Sequence, residues 1–186
     1  MISNKKTNLN LYKHNRNLPG RNKIIVLLWY FTNVLFFINP LNPFSKIKIV
    51  ILRIFGANVG KSCLIKPSVN IKFPWKLTIG NNVWVGENVW IDNLVNVTIG
   101  DNCCISQGAM LLTGSHDYTK VTFDMIVGEI ILEDGVWLGA KSIVYPNVKC
   151  KSHSLLGANS VAAKDLDPYI IYHGNPAVKI TKREIR

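Results

Sequence analysis

The 186 residues are 48% hydrophobic and 18% charged, which supplies a full core and excludes disorder throughout. With 22 Lys and Arg against 11 Asp and Glu, the formal net charge is +11. That charge predicts an anionic partner, whether nucleic acid, acidic lipid or a phosphorylated small molecule; with no nucleic-acid motif or groove-binding element beside it, nucleic acid is not expected.

Residues 1–56 read as a basic leader and an apolar helical segment. Lys5, Lys6, Lys13, Arg16, Arg21 and Lys23 precede the run IIVLLWYFTNVLFFI at 24–38. A spanning helix needs about 20 apolar residues; this run has 15, includes Thr32 and Asn33, and meets Asn39 and Pro40. A secretory signal would be followed by a small-residue cleavage site, which NPLNPF does not supply. The segment is expected to dock on the main domain or to lie on a membrane surface as a peripheral contact. In the second case, removing residues 1–40 should leave a folded, soluble remainder.

From 57 to 168 aliphatic residues recur every six positions: Val59, Ile65, Ile71; Ile79, Val85, Ile91; Ile99, Ile105, Leu111; then Leu132, Leu138, Val144, Cys150, Leu156, Ala162. A unit this short is one strand plus a turn, the flat side of a prism. Three sides make a coil of about 18 residues, and stacked coils pair as parallel strands about 4.8 Å apart. The chain is therefore an all-β parallel β-helix, with glycines such as Gly60, Gly80, Gly100 and Gly139 expected where corners need positive φ or close packing. The register points Cys63, Cys103 and Cys150 inward and leaves Cys104 outward, which favours packing over chemistry for all four. Unpaired cysteines of this kind suit a reducing, cytoplasmic setting. Residues 169–186 form a C-terminal tail.

The six-residue step lengthens to eight between Ile71 and Ile79, to eight between Ile91 and Ile99, and to 21 between Leu111 and Leu132. Each insertion leaves after the third strand of a coil, so the three stack on one edge and build a wall. Insertions concentrated on one edge of a solenoid usually serve binding. The wall holds Phe73, Pro74, Trp75, Asp92 and Asn93, and the insertion at 112–131 carries the stretch TGSHD at 113–117.

IGNNVWVG (79–86), IGDNCCIS (99–106), LEDGVWLGAKSIV (132–144), LLGANSVAAKDL (155–166) and HGNPAVKI (173–180) resemble the hexapeptide-repeat acetyltransferases. Within that family PWKLTIG, WIDNLVNVTIG and TGSHDYT are similar to the colanic acid biosynthesis acetyltransferase group, which modifies exopolysaccharide sugars. The resemblance covers about residues 50–181 and implies a left-handed coil, a homotrimer, and acetyl-CoA as co-substrate bound between subunits, with no metal. It implies His116 as general base, since a sugar hydroxyl attacking a thioester must lose its proton and imidazole titrates near neutrality. It further implies that Gly139, Ala140, Gly157 and Ala158 meet the pantetheine arm, that Trp137 flanks it, and that Ala163, Lys164 and Arg183 lie near the nucleotide. Relatives often carry hydroxyls where this chain has Ala140 and Ala163; oxyanion stabilisation would then fall to backbone amides.

For the acceptor, an aromatic face beside amide and carboxylate groups suits a sugar, free or lipid-linked. Trp75, Asp92 and Asn93 are the candidates, with Glu87 behind them. Each has a plainer alternative: Trp75 packs on the amino-terminal segment, and Asp92 with Asn93 makes a turn. A serine- or antibiotic-type acceptor, or a non-catalytic structural β-helix, stays open. A zinc enzyme on this fold would need three converging histidines, a set absent from the sequence.

Overall fold

The computed structural model describes residues 5–13 and 18–186; His14 and Arg16 of the leader lie outside them. Two helices come first, α1 (Lys23–Thr32), extended by a wider π-helical turn over Asn33–Ile38, and α2 (Ser45–Ile54). Coils follow. The first is β1 (Asn58–Val59), β2 (Leu64–Ile65) and β3 (Asn70–Ile71); the second β4 (Leu77–Ile79), β5 (Trp84–Val85) and β6 (Trp90–Asp92); the third β7 (Val97–Ile99), β8 (Cys104–Ile105) and β9 (Met110–Leu112). A hairpin, β10 (Gly114–His116) and β11 (Met125–Val127), then interrupts the winding. The fourth coil is β12 (Ile130–Leu132), β13 (Trp137–Leu138) and β14 (Ile143–Val144), and the fifth β15 (Lys149–Cys150), β16 (Leu155–Leu156) and β17 (Val161–Ala162). β18 (Ile170–Gly174) and β19 (Ala177–Lys182) close the chain.

Three parallel sheets result: β1-β4-β7-β12-β15, then β2-β5-β8-β13-β16-β18 with β19 antiparallel at its edge, and β3-β6-β9-β14-β17. The six-residue period is what places every in-pointing aliphatic on its predecessor: Ile65, Val85 and Ile105 pair in register, as do Ile105, Leu138 and Leu156. All are buried, and each large one contributes about 1.5–3 kcal/mol relative to exposure. Cys103 and Cys150 are buried within this ladder, and burial pushes the Cys103 thiol up to about 11 and that of Cys150 higher still. Cys63 is half-buried rather than fully inward.

The corners make two demands on the chain. Positive φ falls on Asn82, Asn88, Asn102, Asn147 and Asn159, among others, because a short amide side chain tolerates that region. Gly108 and Gly135 share that region at 69°, while other repeat glycines give close approach: a Cβ on Gly60 would lie 2.5 Å from the Gly80 carbonyl oxygen, and one on Gly139 2.6 Å from the Ala158 nitrogen.

A solenoid leaves the backbone groups of its end coils without partners. Here α1, the π turn and α2 supply them. Trp29 Nε1 donates to the Ile71 carbonyl (2.9 Å), Lys48 Nζ to the Lys66 carbonyl (2.8 Å) and Arg53 Nη2 to the Val59 carbonyl (2.8 Å), while Ser45 Oγ accepts from the Ile65 amide (2.8 Å). Trp29, Phe37 and Leu52 join the core. The helical segment therefore packs on the first coil; within residues 1–40 it is Trp29 and Phe37 that make this contact, while Ser45, Lys48 and Arg53 make it from α2. At the other end β18, within the C-terminal tail, continues the second sheet.

Glu133 ties the fourth coil to the fifth. Its Oε1 takes the Lys149 ammonium at 2.7 Å, and Oε2 accepts from the Ser152 amide and hydroxyl at 2.8 and 2.9 Å. Lys149 first, then Ser152, holds the carboxyl at about 2, below its ordinary 4.5. The folded chain thus binds this proton more weakly than the unfolded one, and the charge contributes stability that is present above pH 4.5 and lost as pH falls toward 2. Glu133→Gln should accordingly show a shallower fall in Tm across that window than wild type in thermal unfolding scans. Superimposable Tm profiles would remove Glu133 from the acid response.

Candidate active site

All three insertions leave the third sheet, after β3, β6 and β9, and rise from one corner. Thr113 fixes the base of the longest. It is fully buried, its Oγ1 donates to the Asp92 carbonyl at 2.7 Å and accepts from the Leu94 amide at 2.8 Å. The 112–131 insertion then forms the β10–β11 ladder, with Gly114 opposite Val127 and His116 opposite Met125.

His116 stands at the outer end of that ladder, half-buried. Its Nδ1 lies 2.9 Å from the Phe123 carbonyl oxygen. A carbonyl only accepts, so Nδ1 carries a proton, and in the neutral ring the lone pair is then on Nε2. The Phe123 ring stacks on the imidazole, centroids 4.4 Å apart and 6° from parallel, and Tyr12 of the leader meets it edge-on at 5.5 Å. The leader is held there by Asn8, whose amide donates to the Val121 carbonyl at 2.9 Å. Asp117 turns away: its Oδ1 accepts from the Thr119 hydroxyl at 2.6 Å and the Thr119 amide at 3.1 Å. A ring clamped on two sides, with Nδ1 bonded, presents Nε2 as the proton acceptor of its neutral form.

The acceptor candidates separate. Asp92 pairs with Lys72 at 2.9 Å and borders a cleft of about 400 Å³ between α1 and the third sheet, with Trp90, Asn70 and Tyr30. Asn93 is fully buried, and its amide both accepts from and donates to the Phe73 backbone, at 3.0 and 2.6 Å; it braces the first two insertions and has no face toward an acceptor. Trp75 Nε1 donates to the Pro19 carbonyl at 2.7 Å and its ring stacks on Phe73, so the packing alternative describes it. Glu87 is exposed on a different corner, beside a cleft of about 190 Å³ that includes Trp84, Ser106 and Gln107.

The donor candidates also spread. Gly139, Ala140, Gly157 and Ala158 share the corner between the second and third sheets, and Trp137 lies beside it with Nε1 donating to Ser106 Oγ at 2.9 Å. The amides of Gly139 and Gly157 are engaged in the ladder, to Leu156 and Tyr172. Ala163 and Lys164 are exposed just past β17, on the insertion corner. Arg183 is engaged elsewhere: Nη1 donates to the carbonyls of Gly135 and His153 at 2.8 and 3.1 Å. It laces the corner between the first and second sheets.

No family model matches the chain. In fold it is similar to a hexapeptide-repeat containing acetyltransferase from Vibrio cholerae, with a TM-score of 0.78 at 23% identity over 88% of this chain and 93% of that one. In sequence it is 37% identical, over 90% of its length and 92% of the relative's, to the "Putative colanic acid biosynthesis acetyltransferase WcaF" of Escherichia coli (strain K12). The chain belongs to the hexapeptide-repeat acetyltransferases. A galactoside O-acetyltransferase of the same organism is 30% identical over 64% of this chain and 61% of its own length. A further Vibrio cholerae structure, complexed with acetyl coenzyme A, superimposes with a TM-score of 0.73 at 22% identity, over 91% of this chain and 87% of that one.

In this acetyltransferase the residues that orient the histidine were out of reach of sequence reasoning. Phe123 acts through its carbonyl, which carries no side-chain signature, and its φ of 50° marks a strained turn that periodicity cannot show. Tyr12 sits 104 positions before His116. The insertion itself, interrupting a strict repeat, was the readable signal.

Proposed function

We propose that the chain transfers acetyl from acetyl-CoA to a hydroxyl of a sugar in surface polysaccharide biosynthesis, in the cytoplasm, with His116 as general base. The observation that carries this reading is the His116 ring, whose Nδ1 faces the Phe123 carbonyl while its Nε2 is left to take the hydroxyl proton. As the oxygen attacks the thioester carbonyl, Nε2 accepts its proton; the tetrahedral oxyanion collapses, and the coenzyme leaves as the thiol once a proton returns to sulfur. The sugar acceptor is supported by the carboxylate and aromatic lining of the Asp92 cleft, a lining that suits a pyranose.

The base and the Gly139–Ala158 corner lie at opposite edges of the third sheet, so the working site is completed between copies of the chain, as in a homotrimer. The corner amides left to meet the pantetheine arm are then those of Ala140 and Ala158, and Lys164 supplies charge for a phosphate. Lys164→Glu is expected to raise the Kd for acetyl-CoA on the order of tenfold, the loss of one to two kcal/mol of ion pairing, leaving acceptor affinity unchanged. Titration calorimetry with acetyl-CoA checks it, and an unchanged Kd would take Lys164 out of the donor site.

The reaction is tested by incubating the protein with radiolabelled acetyl-CoA and an extract of source cells, then partitioning the product. Label in the organic phase means a lipid-linked saccharide, and label in the aqueous phase a free or nucleotide-linked acceptor. No label, together with no acetyl-CoA binding, would leave a structural β-helix.

A further inference from the structure

The helical segment presents a second face to solvent. Along α1 and the π turn, Trp29, Asn33 and Phe37 point into the protein. Ile24, Leu27, Leu28, Phe31 and Leu35 recur on the other side, each 56–66% exposed. On α2 the same division holds, with Lys48 and Leu52 buried while Ile47, Val50 and Ile54 are 47–75% exposed. Leu28 and Ile54 border one groove together with Arg21, so the two apolar faces adjoin. A contiguous apolar surface of this kind marks a docking site.

Charge identifies what docks. The first acidic residue in the sequence is Glu87, and before it stand 13 Lys and Arg, including the exposed Arg21, Lys23 and Lys46 that flank the apolar face. Protein interfaces are depleted of lysine, whereas aliphatic and aromatic residues bordered by exposed basic ones match an anionic bilayer, the chains entering the acyl boundary and the ammonium groups meeting phosphates. No helix among the described residues is long and apolar enough to cross a membrane, so the segment lies in the plane of the surface. Its buried side is anchored by the hydrogen bonds of Trp29 and Lys48 to the first coil, so the outer face is rigidly mounted.

We infer that the exposed apolar face of α1, the π turn and α2, with Arg21, Lys23 and Lys46 at its border, seats the protein peripherally on an anionic lipid bilayer. Docking on the β-helix and lying on a membrane are then two sides of one element. Val26 and Tyr30 line both the basic groove beside Lys23 and the cleft holding Asp92, so a seated bilayer brings that cleft to the headgroups.

Flotation of the full chain with vesicles tests this without any acetyl transfer, so its failure would leave the proposed reaction standing. Wild type is expected to float with phosphatidylcholine vesicles containing phosphatidylglycerol, to bind phosphatidylcholine alone far more weakly, and to be released by salt. Leu28→Ser/Phe31→Ser/Leu35→Ser should lower the partition coefficient about a hundredfold or more, since each removes a buried apolar side chain. Lys23→Ala/Lys46→Ala should lower it about 25-fold, each basic residue near an anionic leaflet adding about fivefold. Both variants should keep wild-type Tm and sedimentation mass. The charge variant alters only exposed positions, which keeps the test decisive if the triple variant fails to fold. Absence of flotation by wild type, equal binding to neutral vesicles, or a triple variant that changes sedimentation mass while still floating would overturn the inference, the last outcome making this face an interface between copies.

Discussion

His116→Ala is expected to lower kcat by about 10²–10⁴-fold, the usual worth of a positioned general base, or about 2.7–5.5 kcal/mol of transition-state stabilisation, while acetyl-CoA binding and Tm stay at wild type. The size of the effect follows from geometry. The Phe123 carbonyl fixes Nδ1 as the protonated nitrogen, and the stacked Phe123 ring and edge-on Tyr12 hold the imidazole plane, so Nε2 is presented in one orientation. Alanine removes the proposed proton acceptor, and Asp117, engaged with Thr119, is not placed to replace it. Phe123→Gly should cost less, because the carbonyl stays while the stacked ring is lost. Steady-state assays with the acceptor found by label partition, beside calorimetric titration of acetyl-CoA, separate turnover from binding. A folded His116→Ala protein that turns over within tenfold of wild type would remove the imidazole from proton transfer.

The parts legible in the sequence were those that repeat. One in-pointing aliphatic every sixth position admits a single geometry, so Ile65, Val85, Ile105, Leu138 and Leu156 fell into one ladder as expected, and the lengthened steps located the wall. Corners were harder, because glycine serves two purposes that a sequence does not distinguish; here Gly60 and Gly139 give close approach, while positive φ falls on Gly108 and Gly135 and on asparagine, serine, lysine and histidine elsewhere. Polar residues in the wall were the least readable. Asn93 has the side chain of a sugar ligand, yet an insertion carries backbone groups that must be satisfied as it bends, and Asn93 satisfies those of Phe73. Arg183 makes the same point at the tail, its charge suggesting a phosphate while its donors meet two carbonyls of the corner. In a solenoid, inward positions are set by period alone, whereas outward polar residues depend on which segments cross over them, and that order is not periodic.

Leu138→Ala is expected to destabilise the protein by about 2–5 kcal/mol, the range for truncating a fully buried leucine, lowering Tm by roughly 5–15 °C for a chain of this size. Leu138 has no solvent exposure and lies in register between Ile105 of the coil before and Leu156 of the coil after. The backbone cannot collapse into the space, because parallel ladders hold the coils at fixed spacing and Gly139 packs directly against the Gly157–Ala158 backbone. The same rigidity carries the effect to function. Gly139 follows Leu138 immediately and its neighbour Ala140 belongs to the proposed donor corner, so the variant should bind acetyl-CoA more weakly at temperatures where it is still folded, with the His116 hairpin unchanged. Differential scanning calorimetry gives the first quantity and acetyl-CoA titration at 20 °C below the variant's own Tm the second. A Tm within about 2 °C of wild type, under 1 kcal/mol by the same scale, would mean that the coil relaxes around the missing atoms and that the ladder is not the rigid spacer on which the donor corner depends.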